Sequence, residues 1–167
     1  TINKYLSSIA MKKKFKNLVL VTGGFDPIHS GHIAYLNSAS EISEHLVVGI
    51  NSDNWLLNKK KYFFMPYLER KSIIENLKEV SEVIEFNDSD GTAIDAINKC
   101  KSISDKVYFA NGGDRNEGNI PELIEFKDDN AVEFVFGVGG KSKLNSSSII
   151  ADDFLLRSRN KNFTEKP

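Results

Sequence analysis

Residues 23–32, Gly23-Gly24-Phe25-Asp26-Pro27-Ile28-His29-Ser30-Gly31-His32, gather more chemistry than any other stretch of the chain. Glycines let a backbone turn sharply and approach a ligand, with amides left to meet an anion. His29 and His32 stand three apart where a helix is expected to start, so they share a face and one cleft. Amides and the positive dipole end at such a place favour phosphate. The residues alone leave three uses for the pair: metal ligation, capping of the helix, or direct contact with phosphate. Metal ligation needs further ligands, and the only other histidine is His45, with no cysteine cluster beside it. A histidine donor aimed at phosphate oxygens stabilises charge that grows in a transition state. The stretch is neither the G-x-G-x-x-G dinucleotide pattern nor the G-x-x-x-x-G-K-[ST] triphosphate loop.

Three further groups carry charge, glycine or hydroxyls: Lys59-Lys60-Lys61, Asn111-Gly112-Gly113-Asp114-Arg115, and 137–148, which ends in Ser146-Ser147-Ser148. By itself the lysine run reads as a solvated surface, yet three neighbouring ammonium groups repel one another and a polyanion relieves that repulsion. Lys59 and Lys61 are expected to face the ligand and Lys60 the solvent. The triple serine is a good helix N-cap, and the same hydroxyls and amides suit a phosphate. Asp26 can cap its own turn or shape the ligand loop. Trp55, Phe63 and Phe64 read as core or lid hydrophobes in preference to a stacking platform. Asp152-Asp153 reads as a solvated face.

The elements that position these groups follow from hydrophobic patterning. Asn17–Thr22 is an apolar run without alternation, as expected of a strand buried on both faces. Ser30 can cap a helix carrying Ile33, Leu36 and Ala39 inward. His45–Ile50 is the next strand, followed by a short helical piece at Trp55-Leu56-Leu57 and then the basic loop. Pro66 suits the first turn of a helix with Ile73, Ile74 and Leu77 on one stripe. Glu82–Phe86, Lys106–Ala110 and Val132–Phe136 complete five strands, with helices expected within Asp88–Ser102, over Glu122–Asp128, and from Ser146 onward with Ile149, Ile150, Phe154 and Leu155 apolar. Repeated βα units of this kind predict an α/β, Rossmann-like single domain, a five-stranded mostly parallel sheet covered by helices on both faces. Parallel sheets bind ligands beyond the carboxyl ends of their strands, and all four chemistry-bearing groups fall in those loops.

The 167 residues allow one full domain, and 40% hydrophobic with 27% charged composition excludes wholesale disorder. A net charge of -1 argues against a nucleic-acid coat, although the first twenty residues hold five lysines and no acid. Residues 1–16 read as a basic extension, 17–157 as the domain and 158–167 as a polar tail. No apolar run approaches ~18 residues, so no membrane span is expected. The single cysteine, Cys100, lies among Ala93, Ala96 and Ile97 at helical spacing, as a buried thiol would, and precludes an intrachain disulfide. A cytoplasmic location is the expectation.

Gly23–His32 also matches, at every fixed position, the G-x-F-D-x-x-H-x-G-H signature, and the chain resembles the cytidylyltransferase-like nucleotidyltransferases over about residues 17–155. The resemblance implies transfer of AMP from ATP to a phosphorylated small molecule, a sugar phosphate first, with pyrophosphate released and Mg2+ on the triphosphate. The alternatives are CTP with a sugar- or polyol-phosphate acceptor, or a nonenzymatic nucleotide-binding domain. By this likeness His29, His32, Lys59, Lys61 and Lys141 carry the reaction. Thr22, Gly23, Gly24, Phe25, Asp26, Gly31, Arg70, Lys78, Asn111, Gly113, Asp114, Arg115, Asn145 and Ser146–Ser148 bind the nucleotide. No protein-held metal, nucleic acid or membrane is implied, and a homodimer is. Gly112-Gly113-Asp114 is carried by the heptose-phosphate adenylyltransferase branch, usually after a lysine that is Asn111 here. Lys78 stands where many cytidylyltransferases have an arginine, keeping the charge and losing the fork.

Overall fold

The structure, a computed structural model, describes residues 13–113, 118, 120–140 and 146–160. The chain runs β1 (Phe15–Gly23), α1 (Ser30–Ser40), β2 (Leu46–Ile50), α2 (Asp53–Lys60), α3 (Tyr67–Glu75), β3 (Glu82–Ile84), α4 (Ile94–Ile103), β4 (Ser104–Gly112), α5 (Glu122–Phe126), β5 (Val132–Val138) and α6 (Ser147–Arg159). The sheet order is β3-β2-β1-β4-β5, and every neighbouring pair is parallel. The expected α/β architecture is therefore present, with the sheet wholly parallel.

The unbroken apolar character of β1 has a direct cause. Leu18 and Leu20 pack with Ala96, Ile97 and Cys100 of α4 and Phe126 of α5 on one face. Val19 and Val21 pack with Leu36 and Ala39 of α1 and Ile74 of α3 on the other. All four strand residues are 0% exposed, and each such side chain contributes about 1.5–3 kcal/mol of burial.

Boundaries differ from the sequence reading where tertiary contacts extend or cut an element. β1 begins at Phe15, two residues inside the expected extension, because Phe15 pairs with Ser104 of β4. β3 stops at Ile84, since only Glu82–Ile84 find partners on β2. Residues 59 and 60 are the last turn of α2, where a loop was expected. The last helix begins where expected, but none of its residues is buried, and Ile149 and Phe154 are 55% and 53% exposed. Cys100 is buried, which pushes its thiol up to about 12. No helix among the described residues is long and apolar enough to cross a membrane.

β1 lies between β2 and β4. The chain travels outward through β2 and β3, then returns beside β1 as β4 and leaves in the other direction. The loops leaving β1 and β4 diverge to opposite faces at this reversal and open a crevice above it.

Candidate active site

That crevice is a cavity of about 680 Å³. Its wall includes Thr22, Gly23, Gly24, Phe25, His29, Gly31 and His32 from β1 and its loop, and Lys59 and Lys60 from α2. Asn111 and Gly113 at the end of β4 and Ser146–Ser148 at the start of α6 complete the lining. Residues up to about 125 positions apart in sequence thus meet at one rim of the sheet.

The loop after β1 holds an unusual backbone. Phe25 has φ 53, a left-handed value that L residues with bulky side chains rarely adopt. Its ring is 2% exposed and packs against His32 with centroids 4.9 Å apart, so burial offsets the strain. Gly24 is required for close approach: a methyl group there would stand 2.8 Å from Leu56 Cδ2. Gly139, at φ +85, would bring a methyl group within 3.0 Å of the Tyr35 backbone.

The two histidines cap α1 and face the cavity together. His29 is the N-cap; its Nδ1 accepts from the Gly31 amide at 3.0 Å, and His32 Nδ1 accepts from the His29 amide at 3.2 Å. The rings stack at 3.8 Å and 27°. A nitrogen that accepts a hydrogen bond carries no proton, so in each neutral ring the proton sits on Nε2. Capping and a donor role are therefore compatible: the backbone amides hold Nδ1, and Nε2–H is the donor of each neutral ring. Burial, then His29 and then Lys60, push His32 down from 6.5 to about 3, so it is neutral at physiological pH.

The lysines separate by helical geometry. Lys59 and Lys60 follow the buried Leu56 by three and four residues, which sets them on its side of α2, and both line the cavity. Lys61 is the exposed C-cap at φ 71, its amide bonded to Leu57 O at 2.9 Å, and it is off the cavity. The expectation for Lys60 and Lys61 is thus reversed. Lys60 Nζ donates to Asp26 O at 3.4 Å. Burial pushes its ammonium below the ordinary value, with Asp26 opposing and Lys59 adding to the shift.

Three residues expected to touch nucleotide stand elsewhere. Asp26 is 2% exposed, and its carboxylate accepts from the amides of Phe64 and Met65, each at 2.6 Å. It fastens the segment after α2 to the loop after β1 and does not line the cavity. Arg70 is 1% exposed and donates to Met65 O (2.9 Å), Gly24 O (2.8 Å), Asn51 O (2.7 Å) and Asp53 Oδ1 (2.7 Å). Its guanidinium is a strut between three loops. Lys78 is exposed on the turn beyond α3, away from the cavity wall. Asp114, Arg115, Lys141 and Asn145 lie outside the described residues.

Further contacts steady the rest of the lining. Asn111 is 1% exposed, and its Nδ2 donates to Phe109 O at 3.1 Å. Ser146 Oγ accepts from the Ile149 amide at 3.1 Å, and Ser147 Oγ donates to Pro27 O at 3.0 Å, tying α6 to the first loop. Asp88 accepts from Asn51 Nδ2 (3.1 Å), the Ser52 amide (2.7 Å) and Ser52 Oγ (2.7 Å), which sets where α2 begins. Sequence reasoning missed Trp55, Thr92 and Glu122 as cavity residues. Helical spacing from Leu56 was available for Lys60. No signal placed Glu122, whose Oε1 accepts from the Ala93 amide at 2.8 Å, since only the packing of α5 brings it there.

A wholly parallel sheet with a reversal at β1 and β4, a glycine-bearing loop at that reversal, and two capping histidines on the cavity together define an α/β protein with its candidate site at the carboxyl ends of the strands. The cytidylyltransferase-like family model matches residues 20–152, and the chain belongs to that family. It is 41% identical over 66 residues to glycerol-3-phosphate cytidylyltransferase of Bacillus subtilis, covering 40% of this chain and 51% of the relative. It is 36% identical over 91 residues to phosphopantetheine adenylyltransferase of Pyrobaculum aerophilum, covering 50% of this chain and 57% of the relative. The chain thus spans little more than half the length of these relatives. The crystal structure of the lipopolysaccharide core biosynthesis protein from Thermoplasma volcanium superposes with TM-score 0.59 at 25% identity, covering 77% of this chain and 98% of that one.

Proposed function

We propose that the protein is a nucleotidyltransferase that moves AMP from ATP to a phosphorylated small molecule, a sugar phosphate foremost. The observation that carries this reading is the reciprocal histidine cap on a cavity wall shared with Lys59, Lys60 and Ser146–Ser148. An oxygen of the acceptor phosphate attacks the α-phosphorus of the triphosphate in line. The bond from that phosphorus to the bridging oxygen breaks, and pyrophosphate leaves with the electron pair. A phosphate monoester is nucleophilic enough near neutral pH to need no dedicated base. The protein's task is to hold two repelling anions in line and stabilise charge on the equatorial and leaving oxygens. His29 and His32 donate from Nε2, Lys59 and Lys60 supply positive charge, and the α6 start supplies hydroxyls and amides. By resemblance, Lys141 joins the leaving phosphates, and Asp114, Arg115 and Asn145 the nucleotide.

Magnesium enters with the triphosphate as part of the substrate. Among the described residues no three His, Cys, Asp or Glu side chains gather closely enough to hold a metal, and Asp26 is engaged by two amides. The likeness to a glycerol-3-phosphate cytidylyltransferase favours a second reading, CTP with a polyol phosphate. A pyrophosphate-release assay crossing ATP and CTP with sugar, polyol and cofactor phosphates separates the two. Nucleotide binding without pyrophosphate release under any pairing refutes both and leaves a nonenzymatic domain.

A further inference from the structure

Trp55 is the only tryptophan in the chain, and it lies on the cavity wall with one face toward the ammonium of Lys59. Lys59 Nζ stands 4.5 Å from the ring centroid, one helical turn further along α2. The ring is half-buried, with its edge close to Gly24: a methyl group there would stand 3.7 Å from Trp55 Cζ3. The indole therefore lies beside the loop whose glycines line the cavity, and the lysine covering it is exposed and long.

A cation over an indole at an exposed position is held weakly, whereas an ammonium meeting a phosphate forms a charge-assisted hydrogen bond in a partly dry cleft. A phosphate-bearing ligand in the cavity therefore takes Lys59 from the ring. That exchange uncovers an aromatic face inside the same cavity, next to the anion. An uncovered indole favours a flat partner: bases stack on aromatic rings with little regard to identity. The face of a sugar ring offers a comparable surface of C–H groups.

We propose that Trp55 is a binding platform for the ring of a phosphate ester, covered by Lys59 in the free protein and uncovered when that lysine moves to the ligand's phosphate. This rests on the reading that the cavity takes phosphate esters, and it does not require that they react there. Two sources share this chemistry, the base of the nucleoside triphosphate and the ring of the acceptor.

Because Trp55 is the sole tryptophan, its emission reports the exchange without a label. Tripolyphosphate, ATP, CTP and a hexose monophosphate are titrated separately against the full chain, by fluorescence and by calorimetry, and then against Trp55→Leu, Trp55→Phe and Lys59→Met. Tripolyphosphate, having no ring, is expected to change the emission of the unaltered protein and to lose that change in Lys59→Met. The ring-bearing ligand that uses the platform is expected to quench, to bind about 5- to 100-fold more weakly to Trp55→Leu, and to regain most of that affinity in Trp55→Phe. Tripolyphosphate is expected to bind Trp55→Leu within twofold of the unaltered protein. Loss with the triphosphates assigns the platform to the base, and loss with the hexose phosphate assigns it to the acceptor. Equal weakening for tripolyphosphate and the ring-bearing ligands, or no weakening for any of them, overturns the proposal. An absence of pyrophosphate release with these affinities intact refutes the proposed reaction and leaves the platform standing.

Discussion

Replacing Arg70 by lysine tests whether the cavity depends on a strut that never touches its contents. The guanidinium is 0% exposed as a side chain and spends four donations on Met65 O, Gly24 O, Asn51 O and the Asp53 carboxylate. A lysine ammonium is a single point that cannot span three loops. It keeps the Asp53 pair at best, and that carboxylate is 34% exposed, so the retained pair is worth little. At least two carbonyls are left without their donor in a dry place, at about 1–3 kcal/mol each. The expected loss is about 3–5 kcal/mol, in the range for breaking a buried charged network. Urea unfolding should show a lower midpoint with an unchanged slope. Where the variant remains folded, kcat/KM for pyrophosphate release should fall at least tenfold, because Gly24 and Met65 anchor the two loops that carry the histidines and adjoin the lysines. A stability loss below 1 kcal/mol, or unaltered kinetics in a folded variant, refutes the strut.

His29→Ala and His32→Ala should each lower kcat by about 10²–10³ with smaller changes in nucleotide Kd, the pattern of a donor that acts on developing charge; near-normal turnover removes both from the reaction. Lys60→Ala should raise KM and lower kcat together, while Lys61→Ala leaves both within twofold; the opposite ranking would restore the simple reading of the basic run. The folded protein binds fewer protons at His32 than the unfolded chain between 6.5 and about 3, so this group's contribution is full above 6.5 and is lost as pH falls toward 3. At pH 5 the loss is about 2 kcal/mol relative to neutral pH, and urea midpoints at pH 5 and 7.5 should converge in His32→Gln. Asp26→Asn presents an NH2 group to one of two amides now bonded to carboxylate, so about 2–4 kcal/mol of stability should go, with hydrogen exchange at Phe64 and Met65 accelerated; unchanged exchange at both amides would deny the fastening role.

The parallel sheet was legible because strands buried on both faces write continuous apolar runs, as Leu18–Val21 do, and because the loops between them collected the glycines, histidines and serines. His29 and His32 were legible as a pair from their spacing at a helix start. Arg70 was not, since a charge on a helix reads equally as a ligand contact or as a buried fastener, and only the three carbonyls around it decide. Lys60 and Lys61 were exchanged because α2 runs to Lys60, and one residue more of helix alters which ammonium shares the Leu56 side. The apolar residues of α6 were legible as apolar, yet Ile149, Phe154 and Leu155 stand exposed, and the Ser147–Pro27 bond ties the helix to the first loop at its start. Periodicity records which side of a helix is greasy and is silent on whether anything covers it.

The bond from Ser147 to Pro27 joins positions 120 apart, so the rim of the cavity is closed by a contact between the first loop and a helix that the chain reaches only after all five strands. Pairing of the five strands alone therefore leaves the cavity without the part of its lining that Ser146–Ser148 supply. Since no side chain of that helix is buried, it has little burial to lose by lifting away, and the Ser147–Pro27 bond holds its start to the rim.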